Sequence, residues 1–181
     1  LAPHPHQPPA RKSRGELVAR FLCGSLPVDH YLAEVNGRSI EYAGFNLLVG
    51  TPHELWHYNA NESAPTQLTA GIYGLSNAGL DTPWPKLLKA RAALAEVLGD
   101  PQPDALLGIL SDPQTAPFAE LPDTGVGLAT ESLLSSVFIA SPSYGTRAST
   151  ALIVHADGRR QMFERSFGPH GGRLGEVQLE I

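Results

Sequence analysis

Residues 83–99, PWPKLLKARAALAEVLG, carry the strongest helical signal in the chain and constrain its architecture by dividing it. Pro83 and Pro85 fall at the start, where a missing N–H costs nothing and the backbone angle is already helical. The interior is rich in Ala and Leu, which enter a helix readily, and Gly99 ends it. Strand-like runs lie on either side. A helical insert between two groups of strands predicts an α+β fold, with antiparallel sheets covered by helices on one or both faces.

Before the insert, RGELVARFL (14–22) has apolar residues at 17, 18, 21 and 22, a helical spacing, and Gly24 stops it. PVDHYLAEV (27–35) predicts a second short helix, opened by Pro27 and Asp29 and closed by Asn36-Gly37. YAGFNLLVG (42–50) reads as a buried strand. ELWHYNA (54–60) alternates Leu55, His57 and Asn59 against Trp56, Tyr58 and Ala60, so the two runs predict a hairpin. AGIYGLSNAG (70–79) is punctuated by glycines and predicts a short strand running into a turn.

After the insert, residues 103–112 predict a shorter helix, and 113–129 a Pro/Gly-rich loop. TESLLSSVFIAS mixes a capped helical turn with a strand. ASTALIVHAD, RQMFERSF and GEVQLEI predict further strands, the first two joined by a hairpin turn at Asp157-Gly158.

With 181 residues, 42% of them hydrophobic and 17% charged, the chain suits one domain over 14–181, preceded by a Pro-rich loop or linker at 1–13. No uncharged apolar run is long enough for a membrane-spanning helix, and residues 1–13 have no apolar stretch of the signal-peptide kind. Net charge is −5 with basic residues dispersed, which argues against nucleic acid or an anionic membrane as the main partner. The single cysteine, Cys23, rules out an intrachain disulfide framework and a cysteine-based zinc cluster. A reducing, cytoplasmic setting is expected. Cys23 adjoins an apolar helical stripe and is expected to be buried and inert.

HELWH, His53 to His57, matches the zinc-peptidase pattern, in which two histidines share one helical face. Its surroundings favour a strand, where residues four apart lie about 13 Å from each other, too far to share one zinc. The match reads as chance. His4-Pro5-His6 would bind metal only adventitiously, and His155 reads as a satisfied core or edge histidine. Asn61 opens an Asn-Glu-Ser sequon, a pattern common by chance.

Three polar residues ask for a reason. Asn46 interrupts the apolar run GFNLLVG. Asn77 sits among glycines that allow close approach of a ligand, and Arg147 stands alone in the turn SPSYGTRAST. Each could simply brace a turn. Together, at strand ends and strand–turn junctions, they are candidates for a shared site.

RGELVARFL, YAGFNLLVG, GIYGLSNAGLDTPWPKL and SPSYGTRASTALIVHADGRRQMFERSF resemble successive blocks of the NRDE family, also called the transport and Golgi organisation protein 2 family. The resemblance runs in order from about Arg14 to Phe167. It implies an αββα four-layer sandwich similar to N-terminal nucleophile hydrolases, with the opening strands missing from this chain. Family members begin with Met-Cys, followed by an Asn-Arg-Asp-Glu signature. Neither occurs here, so the resemblance places a cysteine nucleophile upstream of this chain. It implies Asn77 as an oxyanion-hole donor, Arg147 as the charge beside the nucleophile, and Asn46 as a second polar support, acting on a small-molecule acyl or amide ligand. The alternative it allows is a non-catalytic haem or lipid carrier or chaperone, for which His53, His57 and His155 are the plausible iron ligands. No cofactor is expected, with haem only a transported ligand.

Overall fold

The computed structural model of the protein describes residues 12–181, along which five α-helices and two three-stranded antiparallel sheets follow one another. The chain divides into two compact units. One takes the chain up to Gly71 together with Asn77–Leu80, and the other takes Ile72–Ser76 together with Asp81–Ile181. Between Gly71 and Asp81 the backbone therefore passes from the first unit to the second, back, and forward again.

The first unit opens with α1 (Gly15–Cys23) and α2 (Val28–Gly37). On α2, Val28, Tyr31, Leu32 and Val35 are buried, the i, i+3, i+4, i+7 spacing of one helical face. That face packs with Leu17 of α1 against β1 (Asn46–Thr51) and β2 (Glu54–Asn59), from which Leu47, Val49 and Tyr58 complete the core. Each fully buried side chain of this size contributes about 1.5–3 kcal/mol. Polar tips within the core find partners. Tyr31 donates its hydroxyl to the Leu17 carbonyl at 2.5 Å, and Tyr58 donates to Asn36 Oδ1 at 2.7 Å. Arg20 reaches across from α1 to Glu34 of α2 at 2.7 Å, and this guanidinium holds the Glu34 carboxyl below its ordinary pKa.

The hairpin expected over 42–60 forms, with Leu47 opposite Tyr58 and Val49 opposite Trp56. Its first strand begins only at Asn46, while Tyr42 makes an isolated bridge with Lys12 after the 3₁₀ turn at Ser39–Glu41. The third strand of this sheet, β3 (Thr66–Leu68), lies upstream of the 70–79 run, which forms no strand. Gly71, Gly74 and Gly79 weaken that run as a strand, and Gly79 takes φ 152°, open only to glycine. Cys23 is exposed, not buried. It lies six residues beyond buried Leu17, which turns it about 120° off that stripe.

The second unit holds α3 (Pro85–Val97), α4 (Pro103–Ile109) and α5 (Leu128–Leu134), then β4 (Ala148–Val154), β5 (Arg160–Phe167) and β6 (Arg173–Glu180). Leu107 of α4 packs on Ala151 and Phe163, the inward residues of the β4–β5 pair. Arg165 of β5 ties this arrangement together by bonding Asp104 of α4 and Glu176 of β6. The Asp157-Gly158 turn forms as predicted, with Gly158 at φ 90°. The strand expected within VFIAS does not form. Its backbone bonds instead to neighbouring loops: the Phe138 N–H to the Asp112 carbonyl, and the Ile139 N–H to Thr146 Oγ1. No helix among the described residues is long and apolar enough to cross a membrane.

Candidate functional site

β2 carries His57, Tyr58 and Asn59 in succession, only 1%, 0% and 4% exposed. Strand alternation sends Tyr58 to the helix-covered face, and His57 and Asn59 to the opposite one. Asn46 of β1 stands directly opposite Asn59 and so shares that second face. One side of the sheet is therefore apolar and packed on helices, while the other gathers a histidine and two asparagines. Polar groups at this depth cost stability unless they are hydrogen-bonded.

They are. His57 Nε2 lies 3.0 Å from Asn46 Oδ1, one diagonal step across the hairpin. An amide oxygen can only accept, so the ring donates through Nε2. Burial pushes the His57 pKa down and favours the neutral ring, against a weaker upward pull from Glu62. Asn59 donates from Nδ2 to the Ala78 carbonyl at 3.2 Å and accepts the Asn61 N–H at 2.8 Å. Asn59 thereby secures the segment that carries Asn77 within the first unit.

Within the second unit, Gly74 and Asp81 close the base of the same excursion. The Gly74 N–H donates to Asp81 Oδ1 at 2.8 Å, the Asp81 N–H donates back to the Gly74 carbonyl at 2.7 Å, and Arg91 pairs with Asp81 at 3.0 Å. Asp81 holds the left-handed conformation, φ 53°, which aspartate tolerates better than most residues. Asn77 is exposed in a bend between these anchors.

Arg147 belongs to the second unit, immediately before β4, and its side chain is exposed. The turn presenting it is well fixed. Ser141 Oγ accepts the Tyr144 N–H and donates to the Tyr144 carbonyl, the Thr146 N–H donates to the Ile139 carbonyl, and the Phe167 N–H donates to the Arg147 carbonyl. A Cβ on Gly145 would lie 2.8 Å from the Ile139 carbonyl oxygen, so only glycine fits there. Of the three residues singled out in the sequence, Asn46 and the Asn77 segment meet through Asn59, and Arg147 is placed in the other unit.

His53 lies in the turn between β1 and β2 while His57 lies inside β2, so the HELWH pair does not share a helical face. His155 Nε2 lies 3.0 Å from Gln161 Oε1. His4 and His6 fall outside the described residues. The sequence places Asn59 in the hairpin alternation without giving it a role, and it offers His57 only as a chance zinc-pattern match or, on the carrier alternative, an iron ligand. The signal for both was the period-two placement of polar residues within an otherwise apolar hairpin.

The family model for Transport and Golgi organisation 2 matches residues 2–169, a span that includes every residue of this site. The chain belongs to the Transport and Golgi organisation 2 family. The NRDE family is the same family under another name. Among its relatives, the Transport and Golgi organization protein 2 homologs of Bos taurus and Homo sapiens are each 35% identical over 175 and 171 residues, covering 86% of this chain and 62% of their own length. The Mus musculus homolog is 32% identical over 178 residues, 90% of this chain and 64% of its own. This Transport and Golgi organisation 2 chain thus spans less than two thirds of the length of the relatives it matches.

Proposed function

We propose that this domain binds an acyl or amide carbonyl as part of a hydrolase-like site of the N-terminal nucleophile type. The observation that carries the reading is the buried polar face of the first sheet, where Asn46 is held by His57 and the Asn77 segment is held by Asn59. In such chemistry a cysteine at the mature N-terminus, here supplied by chain outside these 181 residues, attacks the carbonyl carbon, and its own α-amino group takes the proton. The tetrahedral oxyanion then needs preorganised donors, a role suited to the Asn77 amide with Asn46 in support. Arg147 would favour the thiolate of the nucleophile. The fold expected around such a site is an αββα sandwich. One exposed thiol, Cys23, is compatible with a cytoplasmic setting.

The test uses the full-length protein with a series of N-acyl-7-amino-4-methylcoumarins and a thiol-directed acyl probe. Coumarin release and labelling that both vanish when the N-terminal cysteine is replaced by alanine support the reading. No cysteine-dependent turnover or labelling across the series ends it.

The second reading is a haem carrier on the same fold. It would require His57 to give up its bond to Asn46, or His155 its contact with Gln161, since each engages its Nε2 there. Haem titration followed in the Soret band, with His57→Ala and His155→Ala variants, decides it: a band that depends on neither ring removes direct ligation by these two.

A further inference from the structure

We propose that the open apolar face of the second sheet is an interior surface of the full-length protein, covered by a segment of chain that lies outside these 181 residues. The inference stands apart from the carbonyl-binding reading, since no residue of that site belongs to this face.

The face follows from register. Leu152 of β4 stands opposite Met162 of β5, and Met162 opposite Leu179 of β6, so the three side chains form one row across the sheet. The next row joins Val154 and Arg160 with Ile181, whose backbone exchanges two hydrogen bonds of 2.9 Å with Arg160. Val177, two residues before Leu179 on β6, points to the same side and borders the first row. Leu152, Val154, Val177, Leu179 and Ile181 are 48–72% exposed. Contiguous apolar patches of this kind mark surfaces that another layer of protein covers. Beyond Val177 the face turns polar and satisfies itself, with Thr150 donating its hydroxyl to Glu164 at 2.8 Å.

Water is the wrong neighbour for this face. An antiparallel sheet with one wet side alternates apolar and polar residues along each strand. In β4, Ala151, Leu152, Ile153 and Val154 follow one another without a polar residue, the pattern of a strand buried on both sides. One side has its cover, where Leu107 of α4 packs on Ala151 and Phe163. The other remains open among the described residues. The outer edge of β6 is open as well: all eight of its residues are exposed, and β5 is its one partner strand in the sheet.

Length argues for the occupant. The matches to the three homologs take in 86–90% of this chain but only 62–64% of the homologs' own length. More than a third of each homolog therefore has no counterpart in these 181 residues. A stretch that long can supply both a strand along the free edge of β6 and a layer over Leu152, Met162 and Leu179.

The test places the photo-cross-linking amino acid p-benzoylphenylalanine in the full-length protein in place of Leu152. The expected product after irradiation is a cross-link within one chain, to a peptide outside these 181 residues, identified by tandem mass spectrometry. A product of dimer mass on a denaturing gel assigns the face to a second copy and overturns the proposal. A cross-link to a peptide within the 181 residues, or no cross-link, overturns it too. If that protein does not fold, the same probe in place of Val177, at the border of the row, carries the experiment with the same outcomes. In parallel, Leu152→Gln in the full-length protein puts a polar amide where an apolar layer is expected. Its melting temperature should fall by about 5 °C or more. A smaller fall means a face open to water and overturns the proposal, because substitutions on a wet surface change stability little.

Discussion

Asn59 Nδ2 donates to the Ala78 carbonyl at 3.2 Å, so the second strand of the first sheet holds the segment bearing Asn77. Asn59→Ala removes that bond and the acceptor for the Asn61 N–H together. Losing two hydrogen bonds, each worth about 0.5–1.5 kcal/mol, lowers stability by about 1–3 kcal/mol. The expected outcome is a lower urea midpoint and faster amide hydrogen exchange confined to residues 61 and 77–80.

Tyr58→Phe deletes only a hydroxyl, yet it orphans Asn36 Oδ1, which ends α2 against β2. A loss of about 1–3 kcal/mol is expected from chemical denaturation, with the packing of the Phe45–Tyr58 rings intact.

His57 gives the fold a defined pH dependence. Its folded pKa is depressed by burial, while in the unfolded chain it returns to about 6.5. Between these two values the unfolded state binds more protons, so stability rises with pH. The stabilisation is complete above the unfolded value and is lost as pH falls below it toward the folded value. Glu41 acts in a separate, lower window: Lys12 and Arg38 hold its carboxyl at about 2, so its contribution fades as pH falls from about 4.5 toward that value. Melting temperatures measured between pH 7 and 5 should decline in the wild type and flatten in His57→Gln.

Gly171→Ala should destabilise the second unit by about 1–3 kcal/mol. Gly171 sits at φ 73°, and a Cβ there would lie 2.7 Å from the Phe138 ring, which itself stacks edge-on against Phe167. Calorimetry with Gly171→Ala beside Gly175→Ala, where a Cβ meets nothing within 4 Å, separates steric strain from a general glycine effect.

Cys23 should react with Ellman's reagent without denaturant, a reactivity lost in Cys23→Ser, because its side chain is exposed at the end of α1. A thiol that reacts only after unfolding would show that this helix end is covered in solution.

Local order was legible wherever one period dominated. Pro27 and Asp29 at one end and Asn36-Gly37 at the other announced α2, and the prolines before Lys86 announced the start of α3. The hairpin at Asp157-Gly158 followed from a turn chemistry that few alternatives satisfy. Where the chain was wrong-footing, tertiary partners decided the outcome. Thr66–Leu68 is polar enough to read as loop, and becomes a strand because β2 offers it an edge. VFIAS is β-rich, yet its N–H groups are claimed by Asp112 and Thr146 before any ladder can form. The site was half legible. An asparagine in an apolar run is conspicuous, but that His57 serves Asn46 depends on a diagonal register no single strand displays.

The triple passage of the backbone between Gly71 and Asp81 has a genetic consequence. Neither unit can be inherited or transplanted as a cassette, since any single cut that frees the second also strips the first of Asn77–Leu80. A truncation or fusion point placed between Asn59 and Ala78 would take from Asn59 the carbonyl it binds.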